Sequence, residues 1–345
     1  MPDAEAEGAG ARSEGESSIE AMLVELEDRR RAGDAAATAE ACVRLAQAHA
    51  ARGSSRRALT LYEEALKTFE ERADRPGRLL CLKSMAGLSY REGGWNRALD
   101  LYHQVLALLD RPEERAEIAL THSQIGSVYQ GQGDWDKALA SYRTSLAIRE
   151  ALGDTRGMAL LYNNIGAVFA RQERWAEARQ AWNACLALHE RTGDLPGQAI
   201  TLGNLGSLSQ HQGHWTDALA WYERSLSSYR RCGDALGQAT VHNNVGFVCK
   251  QLGQPDGALA AYQECLTLLQ EIGDSLRATV TMYNMAVVHE DQGNYREALR
   301  LLEQVIELDR RMGHPDLRRD METFRRVRQK LDAERDGERM RKEQT

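Results

Sequence analysis

Apolar residues return at helical spacing along most of the chain. Between residues 155 and 171, Leu161, Ile165, Val168 and Phe169 share one helix face, and a second helical pattern follows over 175–191. The pair of patterns recurs every 40 residues. Alanine marks one phase at Ala58, Ala98, Ala138, Ala178, Ala218, Ala258 and Ala298. Glycine precedes it by five at Gly53, Gly93, Gly133, Gly213, Gly253 and Gly293, with Glu173 the exception. An aromatic follows it by four at Tyr62, Tyr102, Tyr142, Trp182, Tyr222 and Tyr262, and Leu302 ends the series. Trp95, Trp135, Trp175, Trp215 and Tyr295 stand three before it. No such unit can bury its own apolar stripe, so seven units in strict phase predict an all-α solenoid of antiparallel helix pairs.

The punctuation agrees. Gly153-Asp154, Gly193-Asp194, Gly233-Asp234 and Gly273-Asp274 separate units: glycine ends one helix in the left-handed conformation, and aspartate caps the next. Gly126, Gly166, Gly206 and Gly246 sit in mid-helix, where glycine costs about 1 kcal/mol against alanine. A cost repeated at one phase predicts close helix–helix approach, and the alanine series serves the same purpose on the second helix. The tryptophans are expected to wedge each hairpin. Cys185 and Cys265 share a slot with Ala65, Ser145 and Ser225, so they read as small packing residues.

The boundaries follow. Residues 1–17 read as a disordered acidic leader. Residues 18–32 form a capping helix, entered through a Ser17–Glu20 capping box, in which Met22 overlays Tyr62 and Leu26 overlays Leu66. Residues 33–312 hold the seven repeats. A C-terminal capping helix spans 313–331, where Leu317, Met321, Phe324, Val327 and Leu331 make one stripe. The charged tail 332–345 is expected to fray.

Composition narrows the function. At 345 residues the chain exceeds what one compact core of about 250–300 residues holds, which again favours an elongated repeat. A net charge of −7 lacks the basic footprint of a nucleic-acid binder. No apolar run of about 18 residues is present to span a membrane, and the N-terminus lacks the basic start and apolar core of a secretory signal. Six cysteines without a CxxC pair fit free thiols and a cytoplasmic location.

The order of mid-helix glycine, turn glycine, large aromatic, alanine and tyrosine resembles the tetratricopeptide repeat. The usual period is about 34 residues; here the first helix opens on a longer GDxxGxA pattern, as in GDTRGMA, GDLPGQA and GDALGQA. This is similar to the long-helix repeats of Pins/LGN-type and rapsyn-type adaptors and of bacterial regulators. The resemblance covers residues 33–312. It implies a right-handed superhelix whose first helices line a concave groove. The charged C-terminal tail is too short to carry the G-protein-binding motifs of the Pins-type adaptors.

That groove is where a ligand is expected. Asn164, Asn204, Asn244 and Asn284 recur two residues before the small mid-helix position, with Ser84 and Gln124 in the early units. Asn163 and Asn243 add a second column, with Tyr283 in phase. A ladder of amides, donor and acceptor at once, suits the backbone of an extended peptide. The same amides could instead tie neighbouring helices together. Selectivity is expected from Tyr90, Gln130, Ala170, Gln210, Lys250 and Glu290, and beside them from Arg91, Arg171, His211, Gln251 and Asp291.

No P-loop, HExxH, GxSxG or dinucleotide fingerprint is present, so no enzyme, cofactor or metal is expected. His122 and His242 share a phase two units apart, and His211 and His214 flank a turn; neither pair makes a metal set. The reading is a protein-binding adaptor that takes an extended peptide or partner segment. The alternative is a self-assembly module, a homo-oligomer, or the partner subunit of a separate enzyme.

Overall fold

The computed structural model describes residues 19–343. Helix α1 spans 19–32. Then come α2 (Ala35–Ala51), α3 (Ser55–Glu71), α4 (Arg75–Arg91), α5 (Trp95–Leu108), α6 (Arg115–Gln132), α7 (Trp135–Leu152) and α8 (Thr155–Arg171). They are followed by α9 (Trp175–Thr192), α10 (Leu195–His211), α11 (Trp215–Cys232), α12 (Ala235–Gln251), α13 (Pro255–Ile272), α14 (Ser275–Asp291), α15 (Tyr295–Met312) and α16 (Leu317–Glu343). No strand occurs among the described residues. From α2 to α15 the helices succeed one another as helix–turn–helix pairs. Two compact units meet inside α8, at Val168 and Phe169. The predicted leader 1–17 and the Ser17 capping box lie outside the described residues.

The turn between repeats is built by one aspartate with two roles. Its backbone N–H closes the previous helix, as in Asp154 N to Arg149 O at 2.9 Å and Asp274 N to Leu269 O at 2.9 Å. Its carboxylate then accepts from the third residue of the next helix: Gly157 N to Asp154 at 2.9 Å, Gly197 N to Asp194 at 3.0 Å, Gly237 N to Asp234 at 2.8 Å. Gly153 and Gly193, with φ of 66° and 68°, supply the left-handed step just before it. Two turns manage without glycine: Ala73 and Glu173 take φ of 55° and 58°. A third departs further. Glu113-Glu114 replaces Gly-Asp, α5 ends at Leu108, and a 3-10 turn spans Pro112–Glu114. Arg75 clamps this turn through two bonds to Glu114 at 2.6 Å, which hold that carboxyl down at about 2.

The mid-helix glycines explain themselves. A methyl group on Gly126, Gly206 or Gly246 would stand 2.7, 2.6 and 2.6 Å from the ring of Tyr142, Tyr222 and Tyr262 respectively. Those rings are fully buried, so the second helix lies against the bare backbone of the first. The first two repeats place Ala46 and Ala86 at this phase with Tyr62 and Tyr102, and the last pairs Ala286 with the smaller Leu302. Tyr142 donates its hydroxyl to Gln130 at 2.8 Å and Tyr222 donates to Gln210 at 2.9 Å. The shared slot on the second helix behaves as expected. Ser145 and Ser225 donate to Ala119 O and Ala199 O at 2.6 and 2.8 Å, while Cys185 and Cys265 lie 3.3 Å from the hydroxyls of Thr201 and Thr281.

The tryptophans do more than wedge a hairpin. Trp95 packs edge-on against Tyr90 of its own pair, but its ring also covers Gly131 on α6. Trp175 stacks on His211 of α10 and Trp215 meets Phe247 of α12, so the ring ties one repeat to the next.

At the C-terminus the helix is longer than the predicted cap. Helix α16 continues through the predicted tail to Glu343. The segment is rich in Arg, Lys and Glu, which are strong helix formers, and an Arg328–Asp332 pair at 3.6 Å spans one turn. Its buried face is also less apolar than the predicted stripe. Val327 and Leu331 are buried, but so are Asp320 and Thr323, while Leu317, Met321 and Phe324 are only half-buried.

Candidate functional site

On a first helix, residues at i, i+4, i+7 and i+11 form one face. On α4 these are Leu80, Ser84, Gly87 and Arg91. In the first unit, Lys83, Ser84, Gly87 and Arg91 join Tyr62, Tyr102, Gln124 and Ser127 around an open cavity of about 540 Å³. Lys83 is paired with Glu117 of α6 at 2.9 Å. Arg91 is exposed at the rim and meets no carboxylate among the described residues. Burial pushes the Tyr62 phenol up, against a hydrogen bond with Ser84 and the nearby charge of Arg91. Gln124 lines the cavity, and its Oε1 is buried without a partner.

The asparagines sit where the phase places them. Asn163 and Asn164 on α8 belong to the first unit and are half-buried. In the second unit, Asn204 on α10, Asn243 and Asn244 on α12 and Asn284 on α14 are half-buried as well. Asn284 donates from Nδ2 to Oδ1 of Asn243 at 3.1 Å, so neighbouring first helices are joined amide to amide. One such bond uses one N–H and one lone pair. Each amide carries two of each, so the pair keeps donors and acceptors in reserve.

Other predicted residues meet neighbouring side chains or lie exposed. Tyr283 lies 3.3 Å from the Thr323 hydroxyl, with the Arg319 guanidinium 4.7 Å over its ring; both partners belong to α16. Lys250 pairs with Asp291 at 3.0 Å. Arg171 is exposed at the end of α8, in the second unit. The flanking column expected to give selectivity is partly structural. Gln130 and Gln210 hold buried tyrosine hydroxyls. Glu290 is buried under Arg326 and Lys330, each at 2.8 Å. Burial raises the Glu290 carboxyl, and these two cations outweigh it to leave it lowered.

One feature of this face was not foreseen. Leu80, Leu120 and Leu160, and in the second unit Ile200 and Val280, are exposed aliphatics at one phase, a turn before the amides. Their 40-residue spacing is visible in the sequence.

These features define a helix-pair repeat protein. Tetratricopeptide-repeat family models match residues 39–64, 121–156, 157–231 and 237–311. The chain belongs to the tetratricopeptide-repeat family. No curated protein sequence matches it. Solved structures share the fold at low identity. BtubC from P. vanneervenii is 19% identical, covering 64% of this chain and 90% of that one, with a TM-score of 0.56. Aspartyl phosphate phosphatase F from Bacillus subtilis is 14% identical over 82% and 73%, at 0.60. A signal-transduction ATPase with a tetratricopeptide-repeat sensor, from Pyrococcus horikoshii, is 15% identical over 84% of this chain and 44% of its own, at 0.64. Among the described residues, no helix is long and apolar enough to cross a membrane.

Proposed function

We propose that this chain is a protein-interaction adaptor that holds an extended segment of a partner along the first helices, and that it performs no catalysis of its own. The observation that carries the reading is the half-buried amide column on α10, α12 and α14 of the second unit. Packing within a repeat is already accounted for by the Gly–Tyr contacts, the serine and cysteine slot and the aspartate caps. The Asn243 and Asn284 amides retain hydrogen-bonding capacity beyond the bond they share. An extended chain, with backbone groups unpaired, is the ligand that uses it. Each such bond contributes roughly 1 kcal/mol, so several are needed for micromolar affinity.

The test is the double variant Asn204→Ala with Asn244→Ala, both in the second unit. The partner recovered by the wild-type chain is expected to bind at least tenfold more weakly, with helicity and melting nearly unchanged. Full-strength binding by the variant sinks the groove reading. A stable homo-oligomer whose mass is unaffected by added partner would favour self-assembly instead.

A further inference from the structure

Leu80, Leu120 and Leu160 are 40%, 41% and 64% exposed on α4, α6 and α8 of the first unit. On the same helix, Leu82 and Leu88 are 2% exposed. The stack therefore has its own buried leucines, while these three leave much of their surface outside it. A lone exposed leucine is ordinary; three at one repeat phase on one face form a row. That row lies one turn before the amide phase: Leu80 precedes Ser84, Leu120 precedes Gln124, and Leu160 precedes Asn164.

We propose that the groove of the first unit binds an acidic, extended segment in polyproline-II form that presents an aliphatic side chain at every third residue. The inference rests on the groove reading above and specifies its ligand. Packed helices lie about 8–10 Å apart, which sets the spacing of the row. A polyproline-II chain rises about 9.3 Å per three-residue turn, so residues i, i+3 and i+6 meet successive leucines. A β-strand repeats its face about every 6.8 Å and falls out of step. An α-helix comes near the spacing at i and i+7, but its backbone groups are already bonded and leave the amides nothing to hold. The polyproline-II backbone has no internal hydrogen bonds and is free to meet them. Charge selects the sign. Lys83 is neutralised by Glu117, while Arg91, at the rim of the cavity beside the amides, is an unpaired cation among the described residues.

The experiment uses the full chain and fluorescein-labelled synthetic peptides, read by anisotropy. One is a glutamate-flanked series of Leu-Pro-Pro triplets. The controls are the same series with Ser-Pro-Pro triplets, a glutamate-flanked peptide alternating Leu and Thr, and a lysine-flanked Leu-Pro-Pro peptide. The first is expected to bind at least tenfold tighter than any control, about 1.4 kcal/mol. Leu120→Ser with Leu160→Ser should reduce it to the level of the serine peptide without altering the far-UV spectrum. Arg91→Gln should erase the preference for glutamate over lysine flanks. Equal binding of the leucine and serine peptides, equal binding of the alternating peptide, indifference to the leucine variant, or no binding at all overturns the inference. The two readings separate as follows. If leucine and serine peptides bind alike and Asn164→Ala weakens both, the groove stands and the aliphatic row is idle. If the leucine variant abolishes binding and Asn164→Ala changes nothing, the row stands and the amide ladder falls.

Discussion

Replacing Gly206 by alanine places a methyl group 2.6 Å from the ring of Tyr222. Alanine gains about 1 kcal/mol in helix propensity, but overpacking costs roughly 1–3 kcal/mol. Gly206→Ala is therefore expected to lower stability in urea unfolding. Adding Tyr222→Leu should recover part of the loss, because Ala286 with Leu302 is that combination in native form. Glu173 offers the opposite case. Its φ of 58° costs an L-residue about 1–2 kcal/mol, more than the roughly 0.5–1 kcal/mol of extra chain entropy that glycine brings. Glu173→Gly should raise the melting temperature, as calorimetry would show. Both sites were legible as breaks or phases in the repeat, since each is a local steric matter. The direction of an amide is not. Gln130 and Gln210 read as groove residues in the sequence, yet they turn to the hydroxyls of Tyr142 and Tyr222.

Helix α16 shows what apolar periodicity leaves out. It is held by Glu290 under Arg326 and Lys330, by Thr323 at Tyr283, and by Asp320 beside Asp309. These are polar joints on a face that a hydrophobic stripe rotates wrongly. Its length reflects the helix propensity of charged residues, which no apolar pattern registers. The joint also responds to pH. Burial, and then the neighbouring Asp309, push the Asp320 carboxyl up to about 6. The folded form then binds a proton more readily than the unfolded chain, so this contact strengthens as pH falls from above 6 towards 4. Buried His49 and His242 and half-buried His122 and His289 act in the other direction. Burial lowers each, so the folded form takes up their protons less readily than the unfolded chain, and stability is lost as pH falls below about 6.5. Between pH 7 and 5, amide exchange corrected for intrinsic rate should slow in α16 while it quickens in α2, α6, α12 and α14. Asp320→Asn should remove the α16 response alone.

Across the whole molecule, stability in such a repeat array is a sum of unit and neighbour terms. Gly206→Ala should therefore raise exchange in α10, α11 and the helices next to them, and leave α2 to α5 as they were. Uniform loss of protection would contradict that picture. The architecture was readable because the same steric problem is solved at the same phase in repeat after repeat. The groove face was only half readable: its asparagines announce themselves, while its leucines pass for core until their exposure is seen. The 40-residue period of the alanine phase has a genetic reading too. Recombination between two out-of-step copies of the gene adds or removes a whole repeat in frame, with every cap, glycine and tyrosine still opposite its proper neighbour. The number of stacked helix pairs can thus change in whole steps across generations, without redesign of either end.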